Sequence, residues 1–273
     1  MFRFFRSGAG RVVLSFSAVL VGVGAWLVVP PTAGAAGPGP QPPGLDHFLC
    51  YKASATGFQI PTGVSLQNQF APNGFKPVIG PVKTHCNPVV KFLPTGQVFS
   101  ISNPDAHLLC FKITATQPSH KVLVANQFGQ AKLVTSSPTR LCLPTWKSVT
   151  GPPNKPTPQP PGLDHFTCYP VTLVAGTGSF NPPAGLALQD QFASRPVPVT
   201  VGAPKLLCLP TQKTLSTGQV FPINNPQAHL LCFQVSPTPF PSQVFDQNQF
   251  GTGVVTLIKT KLLCLPSFKQ LIH

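Results

Sequence analysis

The chain has 273 residues, and its charge is strongly one-sided: 19 residues are Lys or Arg, five are Asp and none is Glu. Charged residues make up only 9% of the chain and 35 residues are proline, which argues against long helices. No basic cluster and no mixed basic and aromatic run focuses the positive charge, so we expect no nucleic-acid partner.

The N-terminus has the pattern of a secretory signal peptide. A basic start is followed by an apolar stretch at 12–29 and by Ala33-Gly34-Ala35, which predicts a signal peptide at 1–35 that is cleaved after Ala35. An uncleaved anchor is the alternative, because the apolar stretch is just long enough to cross a bilayer. The prolines and the Ala-x-Ala pattern that follow favour cleavage. We therefore expect a secreted, monomeric protein with no membrane span after cleavage.

A Pro/Gly-rich lead at 36–43 precedes a unit that occurs four times and contains every cysteine. Each unit carries His-x-x-Cys near its start and Cys-x-Pro-x-x-Lys at its end. The four sets are His47, Cys50, Cys86 and Lys91; His107, Cys110, Cys142 and Lys147; His165, Cys168, Cys208 and Lys213; and His229, Cys232, Cys264 and Lys269. Tandem units with two cysteines each are typical of disulfide-stapled repeats.

Export would place these cysteines in an oxidising compartment, where paired cysteines form disulfides. Few pairings treat all four repeats alike, and the simplest joins the two cysteines within each repeat. It predicts the disulfides Cys50–Cys86, Cys110–Cys142, Cys168–Cys208 and Cys232–Cys264. Each closed loop should stabilise the fold by about 3 to 4 kcal/mol.

Two copies of Gln-Pro-Pro-Gly-Leu-Asp-His-Phe, at 41–48 and 159–166, predict that the repeats are grouped in two domains. The predicted boundaries are domain 1 at 44–149, with repeats 44–91 and 105–147, and domain 2 at 162–273, with repeats 162–213 and 227–269. A Pro-rich segment at 150–161 is interpreted as a semi-rigid linker. We therefore expect proteolysis in this linker to release two stable domains.

Alternating apolar residues and turn signals predict an all-β fold. In the second repeat the predicted strands are 107–113, 121–125, 131–135 and 140–143. The turn between the second and third strands, Asn126-Gln127-Phe128-Gly129, has a counterpart in every repeat. The proline after each second cysteine is predicted to end its strand. Asp246, at an otherwise apolar position, is predicted to mark a bulge or an exposed edge.

Four strands per repeat predict two similar antiparallel β-sandwich or small-barrel domains, each an internal duplication of a four-stranded, disulfide-stapled unit. A four-bladed propeller made from all four repeats is the alternative. A proline-rich spacer is hard to place in the middle of a closed ring, and this favours two domains.

No constellation in the sequence points to catalysis or to metal binding. His and Cys are zinc ligands, but residues three apart on a strand face opposite sides, so each His-x-x-Cys favours a structural His beside a disulfide. The adjacent acid and imidazole residues Asp46-His47 and Asp164-His165 also face opposite sides of a strand. We therefore expect no catalytic residue, no metal and no cofactor.

The repeated polar residues have competing interpretations. The repeat lysines are candidate polyanion-binding residues, but we interpret them as lysines that keep strand ends soluble; they are Lys91, Lys147, Lys213 and Lys269. The repeated histidines are interpreted as hydrogen-bonded and partly buried. The glutamines of the four turns are interpreted as braces for the turns; they are Gln69, Gln127, Gln191 and Gln249.

Three segments together resemble a bacterial family of secreted proteins built from tandem, cysteine-paired β domains of unknown function. They are Asp-His-Phe-x-Cys-Tyr, Asn-Gln-Phe-Gly and Leu-Cys-x-Pro-x-x-Lys, and the resemblance spans residues 44–270. It implies export and a cysteine-paired β domain, and it carries over no catalytic residue. Cys86-Asn87-Pro88 departs from the Leu-Cys-Leu-Pro form of the other repeats.

These features together predict an exported, noncatalytic binding or structural module at the bacterial exterior. The ligand is not specified by the sequence, and the net positive charge favours an acidic envelope polymer or a glycan. A secreted hydrolase is the alternative function.

Overall fold

The computed structural model describes residue 42 and residues 44–157 and 159–272. The predicted signal peptide at 1–35 lies outside these residues, as does the Pro/Gly-rich lead apart from residue 42. Every regular element in the described part of the chain is a β-strand, and the strand pairs are antiparallel. The all-β prediction is therefore confirmed.

The described residues form nineteen strands. The first repeat contains β1 (Phe48–Thr56), β2 (Ser65–Asn68), β3 (Ala71–Phe75) and β4 (Val78–Pro88), followed by β5 (Val90–Phe92) and β6 (Val98–Phe99). The second contains β7 (His107–Thr114), β8 (Lys121–Asn126), β9 (Gly129–Thr135) and β10 (Arg140–Ser148). The third contains β11 (His165–Leu173), β12 (Ser179–Phe180), β13 (Ala187–Gln189), β14 (Val197–Pro198) and β15 (Val201–Thr214), followed by β16 (Val220–Phe221). The fourth contains β17 (His229–Val235), β18 (Pro239–Asn248) and β19 (Gly251–Ile272).

The first and last strands of the four repeats form a closed, eight-stranded barrel. Within each repeat these two strands pair with each other, and the last strand also pairs with the first strand of the next repeat. The order around the barrel is β1, β4, β7, β10, β11, β15, β17 and β19, and β19 pairs back onto β1. Closure leaves these eight strands without a free edge.

The two cysteines of each repeat lie directly opposite each other on paired barrel strands. All four predicted disulfides are present, each with a Cα–Cα distance of 3.9 Å, and they join Cys50–Cys86, Cys110–Cys142, Cys168–Cys208 and Cys232–Cys264. At each junction between repeats the register steps by two residues, so that Cys86 faces Leu108 rather than Cys110. A constant stagger of this kind is what tilts the strands of a closed barrel.

Sulfur fills the middle of the barrel. All eight cysteines line one cavity of about 20 Å³, together with Phe48, Leu108, Phe166 and Leu230. Sulfurs of neighbouring repeats also touch, at 3.7 Å for Cys50 and Cys264, 3.8 Å for Cys142 and Cys168, and 4.0 Å for Cys208 and Cys232. The four disulfides are therefore arranged as a sulfur ring inside the barrel, and their sulfurs touch at three of the four junctions between repeats.

The inner strands of each repeat form a hairpin that covers the outer face of the barrel. Because side chains alternate along a strand, Leu109 and Leu143 point away from the sulfur ring, and they share one apolar core with the hairpin residues Val122 and Leu133. Hairpin strands also pair with strands of other repeats. Strands β2, β8 and β18 pair with the extended ends of β15, β19 and β10, and β13 pairs with β5, the short strand that follows β4. The repeats are thus interlocked.

The prediction of two separate domains is wrong. Strand β1 of the first repeat pairs with β19 of the fourth over residues 48–56, and the described residues belong to one compact unit at 36–273. Two isolated halves would each expose unpaired barrel edges, and closure satisfies those backbone groups. The barrel is also not a propeller, because consecutive repeats hydrogen-bond to each other instead of standing as separate blades.

Two local predictions are wrong for a related reason. Only Pro88 ends its strand, whereas Pro144, Pro210 and Pro266 lie inside β10, β15 and β19. The ends of those three strands pair with a hairpin of another repeat. Asp246 is fully buried in a regular part of the β18–β19 pair, opposite Gly253, and marks neither a bulge nor an exposed edge.

Cleavage between Thr150 and Pro161 should not separate the two halves of the chain. The strand pairs β1–β19 and β2–β15 cross the cut and hold the halves together. We expect the nicked protein to elute as one species in size-exclusion chromatography and to give two fragments on a denaturing gel. Elution of two independent folded halves would contradict the closed barrel.

Removal of one disulfide should weaken the whole barrel. The double substitution Cys232→Ala with Cys264→Ala should lower the free energy of unfolding by about 2 to 5 kcal/mol. Unfolding in denaturant should remain a single transition for the whole chain, because the barrel strands share one hydrogen-bonded ring. Peptide mapping without reduction should still find the other three pairs. A transition confined to the second half would oppose this expectation.

Candidate functional site

The four repeat lysines do not form an exposed face. Lys91 and Lys213 are completely buried, and Lys147 and Lys269 are partly buried. Each ammonium lies over the Phe ring of the next repeat's turn, with distances of 5.2 Å for Lys91 and Phe128, 4.3 Å for Lys147 and Phe192, 4.9 Å for Lys213 and Phe250, and 4.9 Å for Lys269 and Phe70. The interpretation as soluble strand ends is therefore wrong, and a polyanion cannot reach Lys91 or Lys213.

The turn glutamines hold residues of the preceding repeat. Oε1 of Gln127 accepts a hydrogen bond from Lys91 and lies 3.2 Å from Nε2 of His47. Oε1 of Gln249 likewise accepts a hydrogen bond from Lys213 and lies within hydrogen-bonding distance of Nε2 of His165. Gln69 accepts from Lys269. His47 and His165 are hydrogen-bonded as predicted, but they are buried more completely than the predicted partial burial. The glutamines brace contacts between repeats rather than their own turns.

The Asn or Asp that opens each turn shapes it from within. Its Oδ1 accepts the backbone N–H of the Phe two residues later, at 2.8 to 3.0 Å in the four turns of Asn68, Asn126, Asp190 and Asn248. This is the local bond that Asn and Asp favour in turns. It presents the Phe ring and the Gln amide to the neighbouring lysine.

A repeat lysine together with the Phe ring of the next repeat's turn is termed a lysine clamp. Burial changes the protonation of the lysines in these clamps and of the neighbouring histidines. It lowers the pKa of Lys91 and of Lys213 to about 7. Burial, with the charge of Lys91 second, also lowers the pKa of His47 to about 3. At neutral pH the histidine is therefore neutral, and the buried lysines are close to their titration midpoint.

Four polar departures from the repeat pattern meet in one buried cluster. They are His85, Asn87, Asp190 and Asp246. At the corresponding positions the other repeats have Leu141, Leu207 and Leu263; Leu143, Leu209 and Leu265; Asn68, Asn126 and Asn248; and Leu66, Val124 and Leu188. Lys147 of the second repeat lies beside this cluster.

Hydrogen bonds fix the geometry of the cluster. Lys147 Nζ donates to Asn87 Oδ1 at 2.7 Å, and Asn87 Nδ2 donates to Asp190 Oδ2 at 2.9 Å. The hydroxyl of Tyr51 donates to the same carboxylate oxygen at 2.8 Å. His85 Nε2 lies 3.2 Å from Asp246 Oδ2, and both side chains are fully buried. Burial lowers the pKa of Lys147 to about 7, while Asp190 and Asp246 oppose this shift.

The acid and imidazole pairs considered in the sequence have structural partners. Asp46 accepts the backbone N–H groups of Ser102 and Asn103 at 2.7 and 2.8 Å. Asp164 makes the equivalent bonds in the third repeat. In the described part of the chain, no three His, Cys, Asp or Glu side chains are grouped so that they could hold a metal ion.

A cationic barrel mouth lies at the end of the barrel away from the lysine clamps. It comprises Lys52, Arg140, Lys205, Lys259 and Lys261, which line a cavity of about 520 Å³. Burial lowers the pKa of Lys261, and the like charges of Arg140, Lys52, Lys83 and Lys259 lower it further. The Nε of Arg140 is buried and has no hydrogen-bond partner among the described residues. An anion could satisfy these groups.

Sequence reasoning missed both the barrel mouth and the polar cluster. The basic residues of the mouth are scattered between positions 52 and 261, so no run of charge revealed them. Asn87 and Asp246 were visible as departures from the repeat, but their proximity depends on how the four repeats close. A position-by-position comparison of the repeats was the available signal.

A family model described as a repeat of unknown function (DUF7450) matches residues 11–144 and 115–266 of the chain. No curated protein and no solved structure matches the chain. Among the described residues, no helix has the length and apolar character needed to span a bilayer.

The buried lysines should make stability rise with pH. Between pH 7 and 10.5 the unfolded chain binds a proton on Lys213 that the folded chain does not. One such group raises the free energy of unfolding by up to about 1.4 kcal/mol per pH unit in this window. Lys213→Met should therefore show a smaller gain than the wild type.

Denaturant titrations at about pH 7.5 and about pH 9.5 measure this gain, and Lys132→Met, an exposed position, is the matched control. An equal gain in wild type and Lys213→Met would mean that Lys213 titrates normally in the folded protein.

Proposed function

The chain belongs to the family of repeats of unknown function (DUF7450), and we propose that it is an exported, noncatalytic module whose barrel mouth binds an acidic polymer of the cell envelope. The observation that carries this proposal is the convergence of five cationic side chains on one open cavity. None of the described residues that line this cavity carries a carboxylate.

The electrostatics of the mouth favour an anionic ligand. Lys261 experiences four like charges and, among the described residues, no attraction from a carboxylate. Such repulsion disfavours the charged state of the empty site, and a bound carboxylate or phosphate would relieve it. The Nε of Arg140, which has no hydrogen-bond partner among the described residues, adds a donor that points to the same ligand chemistry.

The extent of the charge favours a polymer over a small anion. Lys112 pairs with Arg140 across neighbouring strands, and Lys83 is close enough to act on Lys261. The positive surface therefore continues beyond the residues that line the cavity. A chain with repeated negative groups could occupy the cavity and the adjoining strands together.

The four disulfides support export. Disulfides form and persist in oxidising compartments and are rare in reducing ones. A barrel with its interior filled by eight bonded sulfurs would suit the cell exterior, where envelope polymers carry carboxylate and phosphate groups.

Neutralising the mouth should weaken binding of acidic polymers. We expect wild-type protein to bind polygalacturonate or polyphosphate, to lose affinity as salt rises, and to ignore neutral dextran. The triple variant Lys52→Gln, Lys259→Gln and Lys261→Gln should bind about tenfold more weakly, since each exposed contact contributes about 0.5 kcal/mol. Isothermal titration calorimetry at two salt concentrations measures the affinities.

The control triple variant, Lys121→Gln, Lys132→Gln and Lys155→Gln, has the same net charge and changes exposed lysines that do not line the mouth. Equally weakened polymer binding in both variants would mean that net charge alone accounts for the interaction. It would refute a binding site at the mouth. Binding of neither polymer would refute the proposal, and turnover of a polymer would favour the hydrolase alternative.

A further inference from the structure

Lys147, Asn87 and Asp190 bring an amine, a carboxamide and a carboxylate into contact in a buried site. We propose that Lys147 and Asn87 join in an intramolecular isopeptide bond, with Asp190 transferring the proton. The bond would connect the end of β10 to the end of β4, across 60 residues of sequence. It is a modification of the chain by its own residues and needs no cofactor.

The contacts place the three groups in the order that the reaction requires. The amine of Lys147 lies 2.7 Å from the carboxamide oxygen of Asn87, the atom bonded to the carbon that the amine must attack. The carboxamide nitrogen, which must leave, lies 2.9 Å from Oδ2 of Asp190. Tyr51 and the backbone N–H of Phe192 each bond one oxygen of that carboxylate and fix its orientation.

The surroundings activate the amine. Asn87 is fully buried, and the Phe192 ring lies 4.3 Å from Lys147 Nζ. An amine in an apolar pocket loses its proton more readily than one in water, and the neutral form is the nucleophile. The lowering of the Lys147 pKa to about 7 by burial is consistent with this.

The reaction balances without an oxidant or a co-reactant. Nζ of Lys147 attacks Cγ of Asn87 and forms a new C–N bond. Asp190 takes one proton from the attacking nitrogen and delivers it to Nδ2. The bond between Cγ and Nδ2 then breaks, and ammonia leaves. The product is a secondary amide between the two side chains, and Asp190 is regenerated.

The other repeats lack this combination. Where the first repeat has Asn87 the others have leucine, so no carboxamide stands at that position. Lys91, Lys213 and Lys269 contact a turn glutamine instead. Burial lowers the pKa values of these three lysines, whereas Asp190 and Asp246 also act on Lys147 and oppose the lowering of its pKa. The three groups that the reaction needs therefore meet where Asn87 and Asp190 depart from the repeat pattern.

The bond would hold the barrel in a different way from the disulfides. The sulfurs lie inside the barrel, whereas Lys147 lies beside the turn that covers its outer face. Asn87 is adjacent to Cys86, so the amide would tie the same strand from its other side. An amide is not broken by thiols, and the link between the first and second repeats would persist after reduction.

Mass spectrometry of the exported, full-length protein tests the proposal. After reduction and denaturation, the measured mass of the wild-type protein should be lower than the mass calculated from its sequence by one ammonia. Digestion should yield a branched peptide that contains both Asn87 and Lys147, which distinguishes the link from ammonia loss elsewhere. In Asp190→Asn and Asn87→Leu the branched peptide should fall from the major species to undetectable.

Both substitutions introduce the residue that the other three repeats have at that position, which makes loss of folding a poor explanation for the result. Lys213→Met is the matched control and should keep the branched peptide. The proposal is overturned if wild type has its full sequence mass, if Asp190→Asn retains the link, or if the ammonia loss maps to Lys91 and Gln127. If both variants fail to fold, the wild-type peptide map alone decides.

Discussion

The direct opposition of two cysteines on paired strands, combined with a two-residue step between repeats, determines how the rest of the structure is arranged. The opposition aligns the first and last strands of each repeat. The step carries the pairing from repeat to repeat until β19 meets β1. No repeat can satisfy its own barrel edges, so the hydrogen bonds of one repeat require the other three. Sulfur fills the middle of the interior, and apolar side chains such as Leu109 and Leu143 face outward, where the hairpins must cover them.

The lysine clamps follow from this covering. A buried amine is costly unless nearby groups compensate, and the compensating ring and amide come from the next repeat along the chain. Lys91 is satisfied by the turn of Phe128, and Lys269 by the turn of Phe70. Each repeat therefore carries a polar group that a turn of the neighbouring repeat must accommodate. The clamps couple each repeat to its neighbour, because a buried amine that lost these partners would destabilise the fold.

The sequence predicted much of the structure within each repeat correctly, but it did not show how the repeats pair with one another. The strands of the second repeat, the shape of the turns and all four disulfides follow from local spacing and from equivalence between copies. Periodicity of two shows which face of a strand is buried, but it does not show which strand lies beside it. The Pro-rich segment at 150–161 was therefore interpreted as a domain boundary. Burial of Lys91 was equally hidden, because its partners lie 36 residues away in another repeat.

The distribution of the five carboxylates connects stability with binding. Asp46, Asp164, Asp190 and Asp246 are buried, and the first two are used by loop backbone. Asp105 is the exposed exception. Because the acidic residues are used to organise the fold, almost none remains to neutralise the lysines at the surface. Among the described residues, the cations of the barrel mouth consequently have no carboxylate partner, and their counter-charge must come from solvent ions or from a ligand. A ligand with many linked negative charges replaces those ions with the smallest loss of its own freedom.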